Sequence, residues 1–432
     1  MAAEAEAAPR PRRRRESVAP IEYHLLTLIT LGLVAFGLIM VYSASSGPAV
    51  LYGRDPLSAL TKQGVYALLG IALMAFLARF PYRRLSLLAP GVLMVTFVLL
   101  VAVLLPHVGA TINGAQRWIL IGPISFQPSE LAKAAVLLFT AAVLSARKRP
   151  PRTLVQLFNP VGAVALAVCG LVVFEPDLGT AIAISLMVCG VLLVAGTPLR
   201  LFVSISLTFV AAAIVMIIHE PFRMQRITAF LDPWKDPQLT GYQSIQALYG
   251  LGSGGLWGVG LGNGTQKSYT PEASTDMIAS VIGEELGLLG VICVVLAFAA
   301  FAVLGFRIAS RCRDPFGKFL AAGVTCLVAG QAFVNLGAVL GFLPLTGVPL
   351  PLISSGGSSL VVLLALVGVM LNIADSEVTA ASAARSKGGA KKTADANATE
   401  SPKRASSTRS DRRRRNGRSR RPGAGGGRRA VG

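Results

Sequence analysis

Apolar residues in this chain come in long uninterrupted blocks. Ten of these approach the roughly 20 residues that a helix needs to cross a bilayer. They cover 24–45, 63–80, 85–105, 129–146, 160–175, 178–196, 200–218, 280–306, 317–340 and 357–375. The fifth and sixth are parted only by Glu175-Pro176-Asp177, which predicts a tight turn. The pattern predicts an all-α polytopic membrane protein, a bundle of ten transmembrane helices. One connection is long, the segment 219–279 between the seventh and eighth helices. Polar segments flank the core. Residues 1–22 form a basic N-tail. Residues 376–432 are rich in Ala, Ser, Gly, Lys and Arg, cannot bury a core, and are expected to be disordered. The expected division is therefore an N-tail (1–22), a membrane core (23–375) and a C-tail (376–432).

Composition agrees: 53% of residues are hydrophobic, 14% are charged, and the mean hydropathy of +0.62 excludes a soluble domain. The net charge of +20 is concentrated in the tails, since sixteen of the 41 Lys and Arg lie beyond Ala384. Basic tails beside membrane helices favour anionic lipid as a partner over nucleic acid. The first helix is too long for a signal-peptide core. With the N-terminus in the cytoplasm, inside segments carry seventeen basic residues even without the C-tail, and outside loops carry seven. That bias, with an even number of helices, predicts both termini cytoplasmic and 219–279 extracytoplasmic. Four of the five cysteines fall in apolar runs and Cys312 in a basic loop, so neither a disulfide framework nor a zinc site is expected.

The long loop has the composition of an ordered one. Phe222, Phe230, Trp234, Tyr242, Tyr249 and Trp257 suit an interfacial segment, and eight glycines follow between Gly250 and Gly264. Gly250-Leu-Gly-Ser-Gly-Gly255 matches a GxGxxG pattern, but no strand precedes it, so the glycines are expected to allow tight bends or a close helix approach. The loop closes on YTPEASTDMIASVIGEELGLLG, residues 269–290. Helical spacing sets Asp276, Ser280, Gly283, Gly287 and Gly290 on one stripe of small residues, open to close approach by another helix. Asp276 at its mouth is either a helix cap or a chemical group. Glu284 and Glu285 turn off the stripe and are expected to support the helix or bind across to a neighbour.

Other polar residues sit where charge is costly. Arg117-Trp118 pairs a cation with an interfacial aromatic. Glu130 and Lys133 lie one turn apart in the fourth run, as a structural ion pair or a cavity lining. Arg223 and Arg226 share a helical face, as a diphosphate clamp or as side chains snorkelling to head groups. Gln331 and Asn335 lead into GFLPLTGVPLPLISSGGSS, residues 341–359, whose prolines and glycines break the helix at membrane depth, with Ser354 and Ser355 as cavity residues.

The motifs NGAQRWI, QPSELAK, AFLDPW…GYQSIQALYGLGSGG, PEASTDMIASVIGEELG and LPLTGVPLPLISSGGSS occur in this order over residues 22–375. Together they resemble the SEDS family (shape, elongation, division and sporulation). MVYSASS at Met40–Ser46 and the basic C-tail are more similar to the division branch than to the elongation branch. The resemblance implies ten helices and a peptidoglycan glycosyltransferase that polymerises lipid II outside the cytoplasmic membrane, at the septum. It implies a class B penicillin-binding protein as transpeptidase partner, together with other divisome proteins. It makes Asp276 the essential acid, Trp118 and Arg117 the aromatic and basic pair, and Glu130 and Lys133 the charged pair. Ser355 departs from the family, which often has Tyr there.

On this reading Asp276 is the general base. Arg117, Trp118, Arg223, Arg226, Lys267 and Glu272 contact substrate, the cations among them facing the leaving diphosphate. No metal ligand set is readable and no cofactor is identified, although a divalent cation such as Mg or Mn could assist. The alternatives are a lipid II flippase using Glu130, Lys133, Gln331 and Asn335, an elongation-type polymerase, or a scaffold for the transpeptidase.

Overall fold

The computed structural model describes residues 21–376, apart from 52, 54, 107, 113, 114, 123, 148 and 220. Most of the two predicted tails therefore lies outside the described residues. The helices are α1 (Ile21–Leu51), α2 (Ser58–Leu77), α3 (Leu85–Leu104), α4 (Pro128–Ala146), the one-turn α5 (Leu154–Leu157), α6 (Ala163–Phe174), α7 (Leu178–Val194) and α8 (Leu199–His219). They continue with α9 (Pro221–Leu231), α10 (Tyr242–Gly254), α11 (Ile278–Arg311), α12 (Pro315–Val339) and α13 (Gly357–Ser376).

Each of the ten apolar runs coincides with a helix. Among the described residues seven are long and apolar enough to cross a membrane: α1, α2, α3, α4, α11, α12 and α13. The runs at α6, α7 and α8 give shorter apolar helices, Phe158–Phe174, Leu178–Val194 and Leu199–Ala212. Starts follow local chemistry. Proline opens α4 and α12, where its missing N–H costs nothing. Asp177 caps α7 by accepting from the Thr180 N–H at 3.0 Å.

Small residues bring the core helices together. A methyl group on Gly323 of α12 would stand 2.1 Å from Leu137 of α4 and 2.9 Å from Val191 of α7. One on Gly305 of α11 would meet Thr325 of α12, and one on Gly368 of α13 would meet the Met74 backbone of α2. The outward faces of α2, α3 and α8 are apolar and exposed, including Leu68, Met94, Val98 and Leu207.

The all-α expectation needs one correction. Between α3 and α4 the chain forms an antiparallel sheet, β1 (Ala110–Ile112), β2 (Ala115–Ile121) and β3 (Ile124–Phe126), in the order β1-β2-β3. Trp118 pairs with Ala110, and Ile119 with Phe126. The sequence carries the cause: Asn-Gly and Gly-Pro dipeptides separate short β-favouring runs, the pattern of hairpins.

The small-residue stripe of α11 does admit a neighbour, though the helix is broken there. A methyl on Gly254 of α10 would lie 1.9 Å from the Gly283 carbonyl oxygen. At Gly287 the backbone turns to φ 67°, ψ −166°, a conformation essentially restricted to glycine. The freed polar groups pair with the glycine-rich segment after α10. Val259 and Gly260 donate to the carbonyls of Glu284 and Glu285 at 3.0 Å, and Leu288 donates to Gly255 at 2.9 Å. A methyl on Gly258 would come within 2.2 Å of the Glu285 carbonyl oxygen, and one on Gly287 within 2.4 Å of the Gly258 nitrogen. The glycines thus serve close backbone approach.

Gly258→Ala and Gly287→Ala should each cost more than ~2 kcal/mol, because left-handed strain of about 1–2 kcal/mol adds to a backbone overlap. Gly252→Ala, inside α10 with nothing within 4 Å of the added methyl, should be neutral or gain up to ~1 kcal/mol. Unfolding midpoints in detergent check the contrast; equal losses at all three positions would contradict it.

Candidate active site

Residues 341–356 form a non-helical segment between α12 and α13, with Val348 and Leu350–Ser354 buried. Buried backbone outside a helix must find polar partners from its surroundings. The neighbours supply them. Asn335 of α12 donates through Nδ2 to the Val348 carbonyl at 2.7 Å. Gln63 of α2 donates to the Ser354 carbonyl at 3.1 Å, and Arg226 of α9 to the Leu345 carbonyl at 3.4 Å. Gly37 of α1 has no room for a side chain, because a methyl there would lie 2.7 Å from Ile353.

The same segment fixes the turn before α11. The carbonyls of Ser274, Thr275 and Asp276 accept in succession from the Ser355 N–H at 2.8 Å, the Ser354 hydroxyl at 2.7 Å and Asn335 Nδ2 at 2.8 Å. Asp276 therefore has a pinned backbone and a half-buried side chain. Its Oδ2 would stand 3.4 Å from a methyl on Gly347, and Arg226 Nη1 would stand 3.5 Å from that same methyl. Acid and guanidinium thus meet over one glycine, whose φ is +73°.

The α6–α7 turn reaches the same niche. A methyl on Gly179 would lie 2.9 Å from the Thr346 carbonyl oxygen, so the start of α7 rests on the segment at Gly347. Asp177 accepts from Gln127 Nε2 at 2.9 Å and from the Ser129 hydroxyl at 3.2 Å. Arg117 extends from β2 to this turn, donating from Nε to the Glu175 carbonyl at 2.9 Å and from Nη2 to the Pro176 carbonyl at 2.6 Å.

Burial, and next the charge of Glu272, pushes the Asp276 carboxyl up to about 6; Arg226 and Arg117 oppose the rise and Asp177 adds to it. Burial holds the Arg226 guanidinium below its usual value, against the pull of Asp276. Glu175 is fully buried, and neither carboxyl oxygen has a hydrogen-bond partner among the described residues. Burial, reinforced by Asp177, pushes it up to about 8 despite Arg117. A carboxylate titrating near neutrality, beside two fixed cations, has the protonation chemistry of a general base.

The structure gathers Asp276, Arg226 and Arg117, with Ser354, Ser355 and Asn335 as their supports. Glu272 is exposed in a positive-φ turn and accepts from the Thr275 hydroxyl at 2.7 Å. Trp118 follows Arg117 on β2 and so points to the opposite face of the strand; the two do not act as one contact. The side chain of Arg223 lies outside the described residues. Glu130 and Lys133 are buried in α4 as an ion pair of 2.6 Å. Gln331 is buried in α12, and its Oε1 has no hydrogen-bond partner among the described residues.

Lys267 needs a correction. It is buried, and its ammonium donates to Glu285 Oε1 and to the Gly262 carbonyl, both at 2.8 Å. Ser43 of α1 donates to both oxygens of Glu285. This cation is consumed in tying α1, the glycine-rich segment and α11 together, and is not available to a diphosphate. Glu285 binds across to a neighbour, as expected. Glu284 accepts from the Thr265 and Gln266 N–H groups at 2.6 and 3.0 Å.

The sequence profile of the FtsW/RodA/SpoVE family, described as "Cell cycle protein", matches residues 23–379. The chain belongs to this family. Among relatives, a "Probable peptidoglycan glycosyltransferase FtsW" of Geobacter metallireducens is 39% identical over 350 residues, 81% of this chain and 93% of the relative. The protein of that name in Mycobacterium tuberculosis is 40% identical over 84% of this chain and 70% of its own length. "Stage V sporulation protein E" of Bacillus subtilis is 38% identical over 81% of this chain and 96% of its own length. Among solved structures, one described as "Structural coordination of polymerization and crosslinking by a peptidoglycan synthase complex" superposes with a TM-score of 0.68 at 31% identity, covering 82% of this chain and 97% of that one. The rod shape determining protein RodA of Thermus thermophilus gives 0.60 at 30% identity, covering 81% and 95%.

Sequence reasoning took Glu175-Pro176-Asp177 of this family member only as a turn. The available signal was two carboxylates between apolar runs with no cation nearby in the chain.

Because Glu175 has a folded value above its unfolded one, its stabilising contribution is complete at low pH and is lost as pH rises through about 8. Glu175→Gln should therefore gain thermal stability relative to the parent between about pH 5 and pH 9. A pH-independent difference in unfolding midpoint would contradict a buried neutral carboxyl.

Proposed function

We propose that this chain is a peptidoglycan glycosyltransferase that polymerises lipid II during septal wall synthesis. The observation that carries the reading is Asp276, held by three successive backbone carbonyls, raised towards neutrality, and set against Arg226. The names of the relatives support the activity, and their division branch supports the septal role.

In this mechanism the acceptor presents its sugar 4-hydroxyl to Asp276, which takes the proton. The hydroxyl oxygen bonds to the donor's anomeric carbon as the bond to undecaprenyl diphosphate breaks, and one displacement inverts the centre. The leaving group carries its own charge stabilisation, so one base suffices. Arg226 and Arg117 face the diphosphate, with Arg223 as a further candidate. Arg117 has committed Nε and Nη2 to carbonyls, which orients its remaining amino group. Glu272, exposed in the turn that leads to the acid, and Trp118, half-buried on β2, are candidate contacts for the sugar-peptide head.

We place the chain in the cytoplasmic membrane with ten spans, both termini inside and 219–279 outside. The seven long apolar helices, the three shorter ones and the distribution of Lys and Arg support this arrangement. A class B penicillin-binding protein is the proposed partner, supported by the likeness to a synthase complex that couples polymerization and crosslinking.

Purified Asp276→Asn should bind labelled lipid II as the parent does and form no glycan, a loss of at least about 100-fold. For the parent, kcat/KM should rise with pH through about 6 and then level off, because only the ionised acid accepts the proton. Polymer from the variant at the parental rate would remove Asp276 from the chemistry. Full transport of lipid II by a variant that makes no glycan would favour a flippase.

A further inference from the structure

A second polar site lies far along the chain from Asp276, where α4 ends and α5 begins. A cavity of about 310 Å³ is lined by Arg147, Arg149, Pro150, Pro151, Arg152 and Gln156. It is built, not merely charged. Arg147 donates from Nη1 to the Gln156 carbonyl at 2.6 Å and from Nη2 to the Asn159 carbonyl. The Arg152 N–H donates to Gln156 Oε1 at 3.0 Å. Gln156 thus closes the loop from both sides, and two adjacent prolines restrict its backbone.

Among the described residues no carboxylate pairs with the charges in this cradle. The four ion pairs among the described residues all involve other side chains, and no carboxylate lines the cavity. Arg149 and Arg152 are exposed. Guanidinium groups pair with phosphate oxygens through forked hydrogen bonds, and a cavity of this size sits at the lower end of small-ligand sites, about 300 Å³. The loop leads from the end of α4 through α5 to the apolar α6, and the ten-span arrangement proposed above sets it at head-group level.

We infer that this cavity binds the phosphate head group of an anionic phospholipid, with Arg149 and Arg152 as its contacts and Arg147 as the brace. The orientation proposed above places it in the inner leaflet; the recognition chemistry does not depend on that placement.

The test uses the full chain purified in neutral detergent, following the unfolding midpoint during titration with short-chain phosphatidylglycerol, short-chain phosphatidylcholine or inorganic phosphate. Phosphatidylglycerol should raise the midpoint saturably, and the other two should not. Arg149→Gln with Arg152→Gln should need about thirty-fold more phosphatidylglycerol, the loss expected for two cations at a membrane surface. Arg149→Lys with Arg152→Lys, which keeps charge and removes the fork, should fall between, and serves if the glutamine pair does not fold. An unchanged titration in the variants, or an equal response to phosphatidylcholine, would overturn the site. A full response to inorganic phosphate alone would overturn the lipid as its source. Glycan synthesis measured in parallel should be unaltered, which separates failure here from failure of the Asp276 mechanism.

Discussion

The structure turns on one constraint: a buried stretch of backbone that is not helical. In residues 341–356, buried at Val348 and over Leu350–Ser354, only a few backbone groups pair within the segment, such as the Ser354 N–H with the Leu350 carbonyl, and an apolar bundle offers no water for the rest. Polar side chains on α2, α9 and α12 converge on this segment, while glycines on α1 and α7 make room for it. Asn335 is the most economical of these contacts. One amide group donates to Val348 in the segment and to Asp276 in the turn before α11. The segment and the acid are thereby held by the same side chain, and the position of the acid follows from the need to satisfy the segment.

The electrostatics of the niche express two opposed demands. Burial disfavours the charged carboxylate, while Arg226 and Arg117 favour it. The result lies near neutrality, where an acid can both accept and release a proton. The Glu175 carboxyl has no hydrogen-bond partner among the described residues and is driven further, to about 8. Elsewhere the same kinds of residue pair with one another inside the bundle. Glu285, Lys267 and Ser43 close on one another in a buried network, and Glu130 closes on Lys133.

Much of this was legible in the chain. Apolar run lengths located every long helix, since in lipid the helix is the economical way to satisfy a backbone. The proline and glycine content of 341–359 marked the broken segment, and a lone aspartate at the mouth of a small-residue stripe marked Asp276. The β-sheet was also readable, from the Asn-Gly dipeptide between short β-favouring runs, but run length gave it no weight. The burial of Lys267 and the placing of Arg117 and Trp118 on opposite faces of β2 escaped sequence reasoning for one reason: charge and adjacency in sequence say nothing about which partner a side chain meets or which face of a strand it occupies.

By itself, then, the sequence determined the class of protein, the order of its helices, the break between α12 and α13, and the family to which the chain belongs. These are properties of composition, period and local motif. Tertiary structure alone decided which of the scarce ionisable groups meet. Asp276, Arg226, Glu175, Asp177 and Arg117 come from four separate parts of the chain, and no local pattern links them. Only the packing of α7 and the turn before α11 against one irregular segment brings Asp276 and Arg226 to Gly347 beside the start of α7, and burial together with the neighbouring charges sets the carboxyl of Asp276.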